Sequence, residues 1–362
     1  MRLGDVTHLS GPLLLGPEEV RDEAWVVGAR LTFERPLGVS TTELSGWVLP
    51  GLVDAHCHVG LGPHGVVPIE VAQQQALTDR DSGALLLRDA GSPSDTRWID
   101  ARDDLPRIIR AGRHIARTRR YLRGLAHEIE PEDLVEFVRA EARRGDGWVK
   151  LVGDWIERGS GDLAPCWPSE VLQAGVAAAH ALGARITVHH FGEDGLEELL
   201  AAGVDGIEHG TGLSSKTIAV AAAQGVALTP TLIQIETFGE IAARGEQKFP
   251  VYAAHLRALH ARSRDTLAEA YAAGVPIYAG TDAGSTLAHG RILDEVDALV
   301  AAGLPQVAAL DAATWAARHW LGVPGLVEGA SADLLVLEKD PRGELATLRT
   351  PRAVFLRGRR LP

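Results

Sequence analysis

At 362 residues, with 46% hydrophobic and 23% charged side chains, the chain has an ordinary globular composition, with enough apolar residues for one large domain and a smaller one. Its formal net charge of −12 argues against nucleic acid, whose phosphates need a surplus of Lys and Arg. No apolar run approaches membrane-spanning length, the N-terminus lacks a signal-peptide pattern, and Cys57 and Cys166 are too few for a disulfide framework; the expectation is a reduced cytoplasmic setting.

In chain order, β-like runs such as AWVVGARLTFE come first, and β-like runs return at the end in SADLLVLEKD and RAVFLRGRRL. The two ends, residues 1–49 plus 323–362, are therefore expected to share one small β-sandwich domain. Between them, residues 50–322 carry eight runs that read as strands: VLPGLVDAHCH, ALLLRDAG, PRIIRAG, WVKLVG, RITVHH, GIEHG, VALTPTLI and PIYAGTDAG. Stretches such as SEVLQAGVAAAHALGA, EDGLEELLAAG and RSRDTLAEAYAAGV repeat apolar residues every three or four positions and end on Gly, which predicts helices between the strands. LPQVAALDAATWAARHWLGV reads as one last helix. Such alternation means parallel pairing with right-handed crossovers, and about 270 residues suits a (β/α)8 TIM-like barrel, typically ~250. The expected fold class is α/β, this barrel with the terminal β-sandwich; a doubly wound open sheet is the alternative.

Six residues close these apolar runs: His56 and His58 in the first, then Lys150, His189, His209 and Asp282. Side chains at i and i+2 of a strand share a face, so His56 and His58 can grip one ion while Cys57 points away. A lone His in an apolar strand is more often a core residue. In a parallel barrel, however, the strand ends converge on one mouth, so distant residues become neighbours there. Neutral imidazole and carboxylate suit zinc and similar divalent ions, two per chain on this reading. Lys150 is one of only four lysines in the chain. A plain ammonium would repel two cations, whereas a carbamate formed with carbon dioxide would bridge them. The alternative is an ordinary lysine paired with Asp154, leaving one metal on His56, His58, His189 and Asp282, with His209 turned toward substrate. Strand alternation admits one of His189 and His190 to the interior, and His189 is chosen. By the same reasoning Glu208 points away from the mouth, either orienting a neighbour or reaching solvent.

The segments GLVDAHCHVG, WVKLVGDW, ITVHHFG, GIEHGTGL and GTDAG resemble the amidohydrolase superfamily, and IEHG with LTPTL and GTDAGSTLAHG resemble its branch of imidazolonepropionase-related enzymes and prolidase-like Xaa-Pro dipeptidases. The resemblance implies a barrel with a flanking β-sandwich, hydrolysis of an amide-like bond, and a carboxylated Lys150. Metal ions lower the pKa of water from ~15.7 toward ~7, and Asp282 is placed to take its proton and pass it to the departing amine. His114, after the third strand, matches in position a His that prolidase-like members use near the substrate, with a solvated loop His as the alternative. Some relatives place a Tyr after the fourth strand, where this chain has Trp155. Trp155 and Trp167 either wall a pocket or pack in the shell; His289 and the weaker His64 either face the mouth or hold loops. The basic run from Arg110 to Arg123 is a solvated face or a cationic rim for an anionic substrate group. The leading expectation is a two-metal amidohydrolase acting on a small molecule, a dipeptide or N-acyl amino acid among them, with no nucleic acid or membrane partner; homo-oligomers stay open. A mononuclear cyclic-amide hydrolase or deaminase, and a non-catalytic binding relative, are the competitors.

Overall fold

The computed structural model describes residues 6–362, so the first five residues of the terminal β unit lie outside the description. Seven of the eight expected runs form regular parallel strands. Leu52–Cys57, Ala84–Asp89 and Arg107–Arg110 pair side by side, and Trp148–Val152, Arg185–His190, Gly206–His209 and Ala227–Thr229 form a second parallel ladder, with the short Ile115–Arg117 and His127–Ile129 at its edge. These runs are rich in Val, Ile and Leu and, apart from Arg107–Arg110, buried on both faces, as parallel strands covered by helices must be.

The eighth run joins by single bridges. Leu228 N donates to Pro276 O at 2.8 Å, and Ala55 N donates to Ala279 O at 2.8 Å, so residues 276–279 lie between the seventh strand and the first. Across the other gap, Asp146 N donates to Arg110 O at 2.8 Å. Helices including Ser169–His180, Leu196–Ala202 and Ser215–Gln224 alternate with the strands, and Pro250–Ala272 begins well before its expected start. The last expected helix is two, Gln306–Ala312 and Trp315–Trp320. The break turns the Ala313 carbonyl onto Val53 N at 2.8 Å, tying this segment to the first parallel strand.

Strands from both chain ends share one mixed eight-stranded sheet, where Trp47–Pro50 runs antiparallel to Leu334–Leu337. Its own apolar core includes Leu9, Leu13, Val26, Val48, Val336 and Phe355. Among the described residues no helix is long and apolar enough to cross a membrane.

Candidate active site

The C-terminal ends of the parallel strands bring all six singled-out residues together at one cavity of about 460 Å³, either in its wall or just beneath it. His56 Nε2 and His58 Nε2 are 3.2 Å apart, and Asp282 Oδ1 lies 3.1 Å from the first and 3.0 Å from the second. Three donors on one tetrahedral zinc, each ~2.0–2.1 Å from it, stand about 3.3 Å apart, so this triangle has the size of a metal-ligand face. His58 donates its Nδ1 proton to Gly91 O at 2.7 Å, and His56 donates its own to Glu208 Oε2 at 2.5 Å. Each bond fixes the tautomer that leaves Nε2 with a free lone pair.

A second group sits beside the first. His209 Nε2 lies 2.9 Å from His189 Nδ1, its ring is 5.4 Å from that of His56, and its Nδ1 is held by the Thr231 hydroxyl at 2.7 Å. Burial holds His189 well below the ordinary histidine range and His209 down to about 3, so both are neutral, the form a metal needs. Lys150 is buried with its amine bonded to nothing, and burial lowers it to about 8. Asp154 is not its partner: that carboxylate accepts from the backbone of Phe191 and Gly192, and the nearest acid to Lys150 is Glu208 at 3.8 Å. An orphaned amine, an orphaned His189 Nε2 and the His56–His58–Asp282 triangle fit divalent metal ions.

Glu208 takes the first of its two expected roles, orienting the neighbouring His56, but from inside the fold rather than by pointing away. His209 has φ 70°, so the chain turns at that residue and Glu208 and His209 both face inward, Glu208 against His56 and His209 beside His189. Fully buried Glu208 accepts from Arg88 Nη2 at 2.7 Å, from His56 and from the Thr187 hydroxyl. Burial opposes its charge, yet Arg88 and Lys150 hold it well below the usual carboxylate range. Arg88 was missed in the sequence, although a charge inside LLLRD was the signal. It also donates to Ala55 O at 2.6 Å and lies between Trp148 and Trp320. Asp282 has φ 56°, and neighbouring Thr281 donates its hydroxyl to buried Asp54 at 2.6 Å, tying the eighth run to the first strand. His190, the other half of the pair, is buried outside the cavity rather than exposed.

His114 is buried, its ring 5.3 Å from His58 and both nitrogens without partners, so it faces the cavity rather than solvent. Tyr121, also missed, lies tilted against His114 and edge-on to Trp155 and His189. Burial and the charge of Asp282 raise its phenol, which stays a proton donor. Trp155 lines the cavity, whereas Trp167 packs outside it with its indole on Val152 O at 2.8 Å. His289 is tethered to Asp79 at 2.7 Å and His64 is exposed; neither lines the cavity. The arginines from Arg110 to Arg123 form neither a solvated face throughout nor a rim. Arg110 pairs with Asp100 and Asp146, and Arg113 and Arg120 cap backbone carbonyls; none lines the cavity.

Residues 47–361 match the amidohydrolase family, and the chain belongs to it. An uncharacterized protein of Mycobacterium tuberculosis (strain ATCC 25618 / H37Rv) is 57% identical over 345 residues, 95% of this chain and 93% of that protein. Among solved structures, a Xaa-Pro dipeptidase with bound methionine in its active site superposes with TM-score 0.79 at 23% identity, covering 99% of this chain and 100% of that one. A prolidase complexed with N-methylphosphonate-L-proline gives TM-score 0.79 at 20% identity, covering 98% and 99%. These likenesses make the fold an α/β fold of TIM-barrel type.

Proposed function

We propose that the chain is a metal-dependent amidohydrolase whose binuclear centre serves hydrolysis of a C–N bond in a small substrate. The reading takes residues 50–322 as a closed (β/α)8 barrel that does the chemistry, and residues 1–49 with 323–362 as a terminal β-sandwich. The observation that carries it is a buried Lys150 amine without a hydrogen bond, a His56–His58–Asp282 triangle of ligand size, and a second imidazole pair, His189 and His209, beside it. His56, His58 and Asp282 would hold one ion and His189 and His209 the other, zinc by ligand chemistry, with carboxylated Lys150 between them. Such ions supply a Lewis acid and an activated water at neutral pH.

The chain's own groups supply the rest. The Asp282 carboxylate, whose Oδ1 is turned to His56 and His58, has a second oxygen to accept a proton from the attacking water and return it to the departing amine. Neutral His114 and the Tyr121 phenol donate toward the carbonyl oxygen as negative charge develops there. Trp155 and Phe191 keep bulk water from the reacting bond. A mononuclear hydrolase or deaminase is the second reading, favoured by the tight grouping of His56, His58 and Asp282 alone.

Metal analysis of purified protein, native mass spectrometry for one added carbon dioxide, and a screen of dipeptides, N-acyl amino acids and lactams test the proposal. Two ions per chain, a carboxylated lysine and amide turnover are expected. One ion and an unmodified lysine would replace it with the mononuclear reading.

A further inference from the structure

His209 is held from behind by a segment that metal ligation alone does not explain. Its Nδ1 lies 2.7 Å from the hydroxyl of Thr231, a fully buried residue with φ 49°. A β-branched side chain rarely enters that left-handed region, so its surroundings must hold it there. They do so through the chain that follows. The Thr231 carbonyl accepts from Gln234 N at 2.9 Å and from Ile235 N at 3.1 Å, within the short helix Leu232–Ile235. The two amides next after Thr231, Leu232 N and Ile233 N, donate to the two carboxylate oxygens of Glu295 at 2.8 and 2.9 Å. Glu295 is completely buried in the helix Ile292–Ala301, which follows the eighth run, and enters no ion pair among the described residues. Arg291, one turn before it, pairs with Asp294 at 2.8 Å. Burying a carboxylate without a counter-ion is costly, and here both its oxygens are spent on the turn at Thr231.

We propose that Glu295 and Thr231 are a positioning pair for the second metal ion: the carboxylate locks the turn, and the Thr231 oxygen accepts the Nδ1 proton of His209 and leaves Nε2 for the ion. The inference rests on the binuclear reading and deepens it. His209 Nε2 lies 2.9 Å from His189 Nδ1, so the lone pair freed in this way faces the other imidazole of the second group. With the proton on Nε2 instead, His209 would present no lone pair there. Gly91 O and Glu208 fix the tautomers of His58 and His56 directly. His209 is served by a hydroxyl, whose aim depends on a backbone that has to be held. Glycine would take φ 49° without strain but brings no hydroxyl, so the strain at Thr231 goes with the one feature glycine lacks.

The test reads the proton and the ions separately. Histidine-selective nitrogen NMR of the metal-free protein, with the His209 signal assigned by its loss in His209→Gln, reports which ring nitrogen carries the proton. Nδ1 is expected to carry it in the wild type and in Thr231→Ser. It should lose the proton in part in Thr231→Val, which keeps the shape without the oxygen, and in Glu295→Gln, which leaves one amide without an acceptor. In zinc competition with a chromogenic chelator, one of the two stepwise affinities should fall ~10–100-fold in Thr231→Val and Glu295→Gln while the other stays within ~3-fold, with Thr231→Ser near the wild type. Thermal melts verify the fold. Glu295→Asp, which keeps the charge on a shorter stem, stands in where Glu295→Gln does not fold; if neither folds, Glu295 is a fold residue and its part is overturned. Nδ1 without the proton in the metal-free wild type, unchanged affinities, both affinities falling alike, or Thr231→Ser as weak as Thr231→Val overturns the assignment. A wild type that binds one ion, with the His209 proton still moving in the variants, would sink the binuclear reading and leave the positioning of His209 standing.

Discussion

Glu208→Gln tests how the site is held in place. The carboxylate neutralises buried Arg88 at 2.7 Å and fixes the tautomer of His56 at 2.5 Å. Gln keeps the shape and one acceptor but removes the charge, leaving a fully buried guanidinium without a counter-ion. Breaking a buried pair from one side costs about 3–5 kcal/mol. His56 also loses its charged acceptor, and loss of such a support weakens metal binding by ~10–100-fold, or about 1.4–2.7 kcal/mol. Urea unfolding of the metal-free protein reads the first effect, and competition with a chromogenic chelator reads the second. Adding Arg88→Met should recover much of the stability, since the buried guanidinium is then gone, while the metal affinity stays low. A stability loss below ~1 kcal/mol together with unchanged metal affinity would refute the reasoning.

Lys150→Ala should take the metal content from two ions to one and lower turnover by ~10²-fold or more, with partial rescue by short carboxylic acids, as followed by elemental analysis and rate. Burial disfavours a charged His58, but Asp282 and Asp89 outweigh it and raise the metal-free imidazole to about 9. A ligand must be neutral, so binding displaces that proton; apparent metal affinity should rise ~10-fold per pH unit below about 9 and level off above it, in a chelator titration across that range. A Cβ at Gly280 would stand 2.6 Å from His56 Cβ and from Thr229 Cγ2, so Gly280→Ala should cost about 1–3 kcal/mol in thermal unfolding and lower the metal content by displacing His56.

Much of the site's placement was legible because strand geometry is local. His56 and His58 share a face through the two-residue strand period, and Lys150, His189 and Asp282 close apolar runs whose ends converge once the strands pair in parallel. The wrong orientation expected for Glu208 has the opposite origin, a positive φ at His209 that no alternation rule contains. Arg88 likewise read as one charge in an apolar run until folding set it between two tryptophans and against Glu208. The amino-acid sequence by itself determined the strand-and-helix alternation and which polar side chains stand at the strand ends, because these follow from periodicity and residue chemistry. Only the tertiary structure decided which charges are spent. It committed Arg110, Arg113 and Arg120 to carboxylates and backbone carbonyls and placed Arg244 and Lys248, without ion pairs among the described residues, in the cavity wall, because ion pairing depends on distances between segments that no one-dimensional pattern records.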